Sequence, residues 1–261
     1  MPTNPFDFNP KDVEAFVLIL VRLAGLFITA PVFSSRNIPP QLKAAWVLLM
    51  TFLVFPVIPY EQTALPSPGI ALGLAVMKEA AIGMCLGFGA LLLFTGIQMA
   101  GQIIDIQMGL GMVNIIDPVT SAQISVMGQF YFMVATLVFL GVDGHHLLIR
   151  AVVDSFSLIP LGEAHFTPAL GTEMMHLFSK VFFIAFRVGA PVIGALFITN
   201  LALGVVARTV PQMNVFIVGM PLNMGVGLMI VAISMSFFVY TLQDLFHGLK
   251  HDLSLLAMAL R

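Results

Sequence analysis

The sequence predicts an all-α chain of long apolar helices made for a membrane or a membrane-associated assembly, and three observations carry that prediction. Hydrophobic residues fill 59% of the 261 positions and charged residues only 9%, against about 25% charged in an ordinary soluble domain. Apolar runs close to the roughly 20 residues that cross a bilayer recur along the chain, and short Pro-rich connections separate them. No repeat with a period of roughly 20 to 50 residues is present. With 23 Phe and 17 Met, a chain of this size cannot hide its apolar side chains from water by itself. They must face lipid or other subunits. The net charge is −2 and no basic run occurs, which excludes a nucleic-acid binder.

The elements follow in order. Residues 13–33 form the first run, closed by PVFSSRNIPPQ, and no small-residue cleavage pattern follows it, so it is expected to stay uncleaved. Residues 44–58 form a shorter run, closed by IPYEQTALPSPG. Residues 70–104 exceed one straight span, and read either as one long tilted helix or as two pieces bending near Gly96 or Gly101. After DIQMGLGMVNIIDPVTS comes a run over 122–142, then DGHHLLIRAVVDSF as a shorter helix and PLGEAHFTPALG as a loop. Residues 174–206 contain Pro191, where a kink is expected. RTVPQMN interrupts, and 215–240 is the last long run. Beyond it Leu245, Leu249, Leu253, Leu256 and Leu260 recur at helical spacing, the pattern of an amphipathic helix. The pattern leaves open whether that helix lies on a membrane surface or packs on a partner.

Ionisable residues sit inside these runs: Arg22, Lys78, Glu79, Asp105, Arg150, Asp154, Lys180 and Arg187. Each costs roughly 2.5 to 3.5 kcal/mol at a bilayer centre, so they must face protein, water or headgroups. Glu173, His176, Lys180 and Arg187 share one helical stripe, which predicts contact with a partner or an aqueous path. Arg150 and Asp154 are an i, i+4 pair. Lys78 and Glu79 are adjacent, point in different directions, and need partners beyond their own helix. Arg22 is also able to snorkel to an interface. Gly69 with Gly73 and Gly83 with Gly87 have the small-xxx-small spacing that lets helix backbones approach.

No HExxH, CxxC, P-loop or GxSxG pattern occurs. In Gly109-Leu110-Gly111-Met112 a methionine stands where an intramembrane aspartyl protease needs its aspartate. Cys85, the only cysteine, reads as a small buried apolar residue. His145 and His146 follow Asp143-Gly144, but adjacent histidines on a helix diverge by about 100°, so they are not expected to share an ion. No metal, no other cofactor and no catalytic residue is expected, and the chain does not read as an enzyme. A stand-alone secondary transporter of a small solute is the alternative, since interrupted helices and buried charges build such sites. Its two interruptions do not match each other, as inverted repeats would require.

The stretch NLALGVVARTVPQMNVFIVGMPLNMGVGLMI, residues 200–230, resembles the hallmark region of the FliR family. TAPVFSSRNIPPQLKAA, AGQIIDIQMGLGMVNIIDP and VFLGVDGHHLLIRAVVDSF resemble it too, in the family's order and spacing. That family supplies the R subunit of the flagellar type III protein export gate, and related proteins serve virulence-associated secretion systems. The resemblance implies a P-like part over about 1–165 and a Q-like helical hairpin with its tail over about 170–261. It also implies one such chain with several P and Q subunits in the inner membrane, within the flagellar basal body, and much of the gate on the periplasmic side. Other export-apparatus membrane proteins, proximal rod proteins, unfolded exported chains and membrane lipid are the further partners it implies; nucleic acid is not among them.

By position, the resemblance makes loop 106–122 a pore plug, with Met108, Gly109, Leu110, Gly111, Met112, Val113, Asn114, Ile115, Ile116, Asp117 and Pro118 as its residues. Their chemistry suits that role. Glycines bend, methionines fill irregular gaps, and Val113, Ile115 and Ile116 exclude water as a hydrophobic constriction does. Arg208, Pro211, Gln212 and Asn214 mark a helix break, where Gln212 and Asn214 are expected to satisfy backbone groups freed around Pro211. Lys180, Arg187, Lys78 and Glu79 are expected at subunit interfaces.

Overall fold

The computed structural model describes residues 10–35, 37–60, 69–110, 125–165, 167–210, 212 and 214–261, and every described element is helical. The α-helices are α1 (Pro10–Thr29), α2 (Pro40–Val54), α3 (Ile70–Met108), α4 (Val126–Gly141), α5 (Gly144–Leu158), α6 (Pro168–Thr209) and α7 (Val215–Ala259), with a 3-10 turn over Phe55–Val57 after α2. The fold is all-α. Proline opens α2 and α6 at the position where its missing N–H is no loss.

Of the two readings of residues 70–104, the single helix is the one observed. α3 runs unbroken for 39 residues, about 58 Å at 1.5 Å per residue, nearly twice a bilayer's apolar thickness. α6 continues through Pro191 for 42 residues, and α7 continues through Pro221 for 45. The tail is therefore the end of α7 and not a separate helix. Among the described residues four helices are long and apolar enough to cross a membrane, or up to five if α4 and α5 count as one broken span.

The chain forms two compact units, residues 1–92 with 143–177 and 247–261, and residues 93–142 with 178–246. A division near 165 to 170, as the resemblance implies, falls at the α5–α6 connection, whereas each compact unit draws on both sides of it.

In the first unit α1, the start of α3, α5 and the end of α7 share a core that includes Leu18, Leu26, Ile82, Leu86, Leu148 and Val152. α1 and α3 touch backbone to backbone: a Cβ added at Gly83 would lie 2.0 Å from the Arg22 carbonyl oxygen, and one at Gly87 2.0 Å from Thr29 Oγ1. The same spacing at Gly69 and Gly73 meets nothing within 4 Å. The tail leucines settle the question the pattern left open. Leu249, Leu253, Leu256 and Leu260 are buried within the chain, and Leu253 and Leu256 lie over Gly89 of α3. The last carbonyls of α7, which have no partner inside the helix, accept Thr167 Oγ1–H at Ala259 (2.9 Å) and the His165 N–H at Leu260 (3.1 Å).

In the second unit Phe94 of α3, Phe139 of α4 and Phe246 of α7 form an aromatic cluster, with centroids 5.1 to 5.7 Å apart. Such edge and offset contacts add about 0.5 to 1.5 kcal/mol per pair beyond area burial.

Candidate functional site

The end of α3 leads into the predicted plug. Expected within loop 106–122, Met108 instead closes α3 and is fully buried. Its flexible side chain fills the notch at Gly227 of α7, where an added Cβ would come within 2.7 Å of Met108 Cγ. Gly109 follows with φ +81°, a conformation that favours glycine, and its side-chain-free face meets Met220 of α7. Leu110 is half-buried. Gly111, Met112, Val113, Asn114, Ile115, Ile116, Asp117 and Pro118 lie outside the described residues.

Asp105 holds the base of this segment. Its carboxylate is 5% exposed and accepts the Ser125 hydroxyl and the Met127 N–H, the latter at 3.1 Å to Oδ1 and 3.3 Å to Oδ2. Ser125 is the N-cap of α4, and its Oγ accepts the Gly128 N–H at 2.8 Å. One turn earlier, α3 and α4 meet at two glycines: a Cβ on Gly101 would fall 2.4 Å from the Gly128 nitrogen. Beside the segment, Gln107 Oε1 is buried with no hydrogen-bond partner among the described residues. The sequence flagged Asp105 as a charge in an apolar run. Ser125 it missed, although Ser125-Val126-Met127-Gly128 before an apolar run is a helix-start signal.

Glu79, expected at an interface, instead lies fully buried in the first unit, as does Arg22. The two carboxylate oxygens face Arg22 Nε and Nη2 in a bidentate pair. Arg22 also donates to Ser155 Oγ and to the Ile159 carbonyl, both at 3.0 Å. Its guanidinium stacks 4.1 Å from the Phe156 ring centroid. Glu79 Oε1 accepts the Gly162 N–H at 2.8 Å as well. Arg22 does not snorkel, because every donor direction it uses is met inside the unit.

Lys78 and Lys180 are half-buried on α3 and α6. Arg187 pairs with Asp244 of α7 at 2.8 Å, both partly exposed. Asn200 of α6 accepts Asn223 Nδ2–H of α7 at 2.8 Å. Arg208 and Gln212 are exposed, Asn214 opens α7 by accepting the Ile217 N–H at 3.1 Å, and Pro211 lies outside the described residues together with the bonds expected around it. Arg150 and Asp154 are both exposed, and no ion pair joins them among the described residues.

The histidines depart from expectation. The rings of His145 and His146, in the first turn of α5, lie 4.1 Å apart rather than diverging. With Asp143, in a left-handed conformation at φ 56°, their potential ligand atoms fall within 4.8 Å of one another. His146 Nδ1 lies 3.2 Å from Asp143 Oδ1, with those side chains 61% and 75% exposed. The positive end of the α5 dipole also faces this cluster and disfavours a cation. The arrangement reads as a polar helix start.

Residues 13–249 match the family described as bacterial export proteins, family 1. The chain is 36% identical over 241 residues to the flagellar biosynthetic protein FliR of Bacillus subtilis (strain 168), covering 89% of this chain and 90% of that protein. It is 33% identical to FliR of Escherichia coli (strain K12), over 82% of this chain and 81% of that one. It is 27% identical to FliR of Aquifex aeolicus (strain VF5), over 89% and 91%. The four stretches that carried the resemblance all lie within these residues, and on a family match of this extent the chain belongs to the FliR family of bacterial export proteins.

Proposed function

We propose that the chain is a structural, channel-forming subunit of the flagellar type III protein export gate, an inner-membrane multi-pass component that joins P and Q subunits around a path for unfolded proteins. Its segment 106–122 occludes that path. The observation that carries the reading is the construction of the segment's base. An apolar stretch rich in Gly and Met leaves α3 through the buried Met108 and the turn at Gly109, and it re-enters at Ser125, tied to Asp105. An apolar sequence rich in Gly and Met between two tied ends suits an element that blocks ions yet yields to a passing chain. The relatives' names designate flagellar biosynthetic proteins.

Mild-detergent purification from cells expressing this chain with its P and Q candidates should recover the three together, and deletion of residues 109–116 should leave that complex intact but leaky to ions. Saturable transport of a small solute by the isolated chain, or a tight gate after the deletion, overturns the proposal.

A further inference from the structure

We infer that the cleft between α1 and α2 is a binding site for an anionic phospholipid, with one acyl chain lying between the two helices and the phosphate held at Lys43. Leu20 and Ala24 of α1, and Ala44 and Leu48 of α2, are one turn apart on their helices and wall an apolar cleft of about 550 Å³. That volume is ordinary for a site that holds a small molecule. Its polarity is gathered at one end, where Ser34 of the α1–α2 connection and Lys43 of the first turn of α2 reach it. Both residues are half-buried, and neither the Ser34 hydroxyl nor the Lys43 ammonium has a partner among the described residues. A cation drawn partly out of water attracts an anion more strongly than one in bulk solvent, and the walls behind it ask for hydrocarbon. The ligand that meets both demands is an anionic amphiphile. No carboxylate lines the cleft, so the ammonium of a zwitterionic headgroup would find no acceptor there.

The helix that carries Lys43 is suited to lipid. Between Asn37 and Tyr60 Lys43 is the only charged residue, and Leu49, Phe52 and Leu53 of α2 are exposed. Trp46, one turn after Lys43 and partly exposed, has the amphipathic ring that favours the headgroup level, to which a lysine ammonium also reaches. Lys43 and Trp46 therefore set the start of α2 at the polar boundary of the bilayer and the apolar walls of the cleft on its acyl side. Interfaces between subunits carry hydrogen bonds across their extent, and α6 and α7 have such groups in Arg187, Asp244, Asn200 and Asn223. α2 instead gathers its exposed polarity at one end, as a lipid molecule does. The site belongs to the α1–α2 hairpin and does not depend on the channel or on its occlusion.

The test titrates phosphatidylglycerol, with phosphatidylethanolamine as the zwitterionic comparison, into the full chain in mild detergent, alone and co-purified with P and Q subunits. Retained lipid is counted by mass spectrometry of the intact species. Phosphatidylglycerol should be retained in preference to phosphatidylethanolamine in both preparations. Lys43→Gln should weaken its retention about tenfold, the factor for losing one charge-assisted hydrogen bond, and erase the preference; Lys43→Arg should keep both. Ala44→Phe, which fills the cleft from an exposed position, should remove the retained lipid, and Lys250→Gln, an exposed charge elsewhere in the same unit, should change nothing. Unaltered retention in Lys43→Gln, or in a folded Ala44→Phe, overturns the proposal, and so does equal retention of the two lipids by the wild-type chain. Should Ala44→Phe fail to fold, the lysine variants decide. Lipid held by the chain alone but lost on assembly with P and Q subunits would make a partner subunit the occupant of the cleft, and this too refutes the lipid site.

Discussion

Arg22 and Glu79 carry opposite charges at zero exposure, and their value to the fold lies in being complete. Bidentate contact, Ser155 Oγ, the Ile159 carbonyl, the Gly162 N–H and the Phe156 face together meet most of the polar capacity of both groups. Breaking such a pair leaves an uncompensated buried charge, at a cost of about 3 to 5 kcal/mol, whereas replacing both partners by apolar residues is often close to neutral. Arg22→Met or Glu79→Leu alone should therefore lower the melting temperature of the detergent-solubilised gate sharply. The double variant should recover most of that loss but not all of it, since Gly162 would lack its acceptor. Equal losses in the single and double variants, measured by thermal unfolding, would show that the two charges are not coupled. The sequence exposed both residues as charges in apolar runs, but 57 positions separate them, and nothing in spacing along one helix announces a partner on another.

At the scale of elements, identical spacing has opposite meanings. Gly83 and Gly87 press α3 against α1, while Gly73 stands in open space. Gly83→Val would place a side chain where the Arg22 carbonyl already is, and overpacking of this kind costs about 1 to 3 kcal/mol or more. Gly73→Val should change stability by no more than about 0.5 kcal/mol, the usual range for a surface position. Limited proteolysis of the two variants checks this, and equal resistance would refute the α1–α3 contact. Helix existence was legible in the sequence because apolar runs and proline punctuation are local signals. The α7 tail was not, since an amphipathic stripe looks the same whether membrane, partner or the chain's own α3 covers it; only the packing of Leu253 and Leu256 over Gly89 tells them apart. For the same reason the sequence placed Met108 in the loop: Gly227, which accommodates it, lies more than a hundred residues away.

For the whole molecule the open question of chemistry is what covers the apolar side chains left exposed in the second unit. Phe182, Phe186 and Phe197 of α6 and Met229, Ile233 and Phe237 of α7 are all exposed. Polar pairs belong to the same helices, Arg187 with Asp244 and Asn200 with Asn223. Partly exposed ions such as Arg187 and Asp244 are expensive against acyl chains, but a neighbouring protein can bring groups to meet them. Partner subunits, not lipid, should therefore cover this surface in the gate. Trp46 is the only tryptophan, so a Trp46→Phe background makes a single reporter possible at Phe186→Trp or Ile233→Trp. In bilayers of brominated lipid the reporter should be strongly quenched in the chain alone, because lipid takes whatever apolar surface is uncovered. Co-assembly with P and Q subunits should reduce the quenching at both positions to near background. Persistent strong quenching in the purified complex would mean that lipid covers these helices even in the gate, and the surface would then be a membrane face and not an interface.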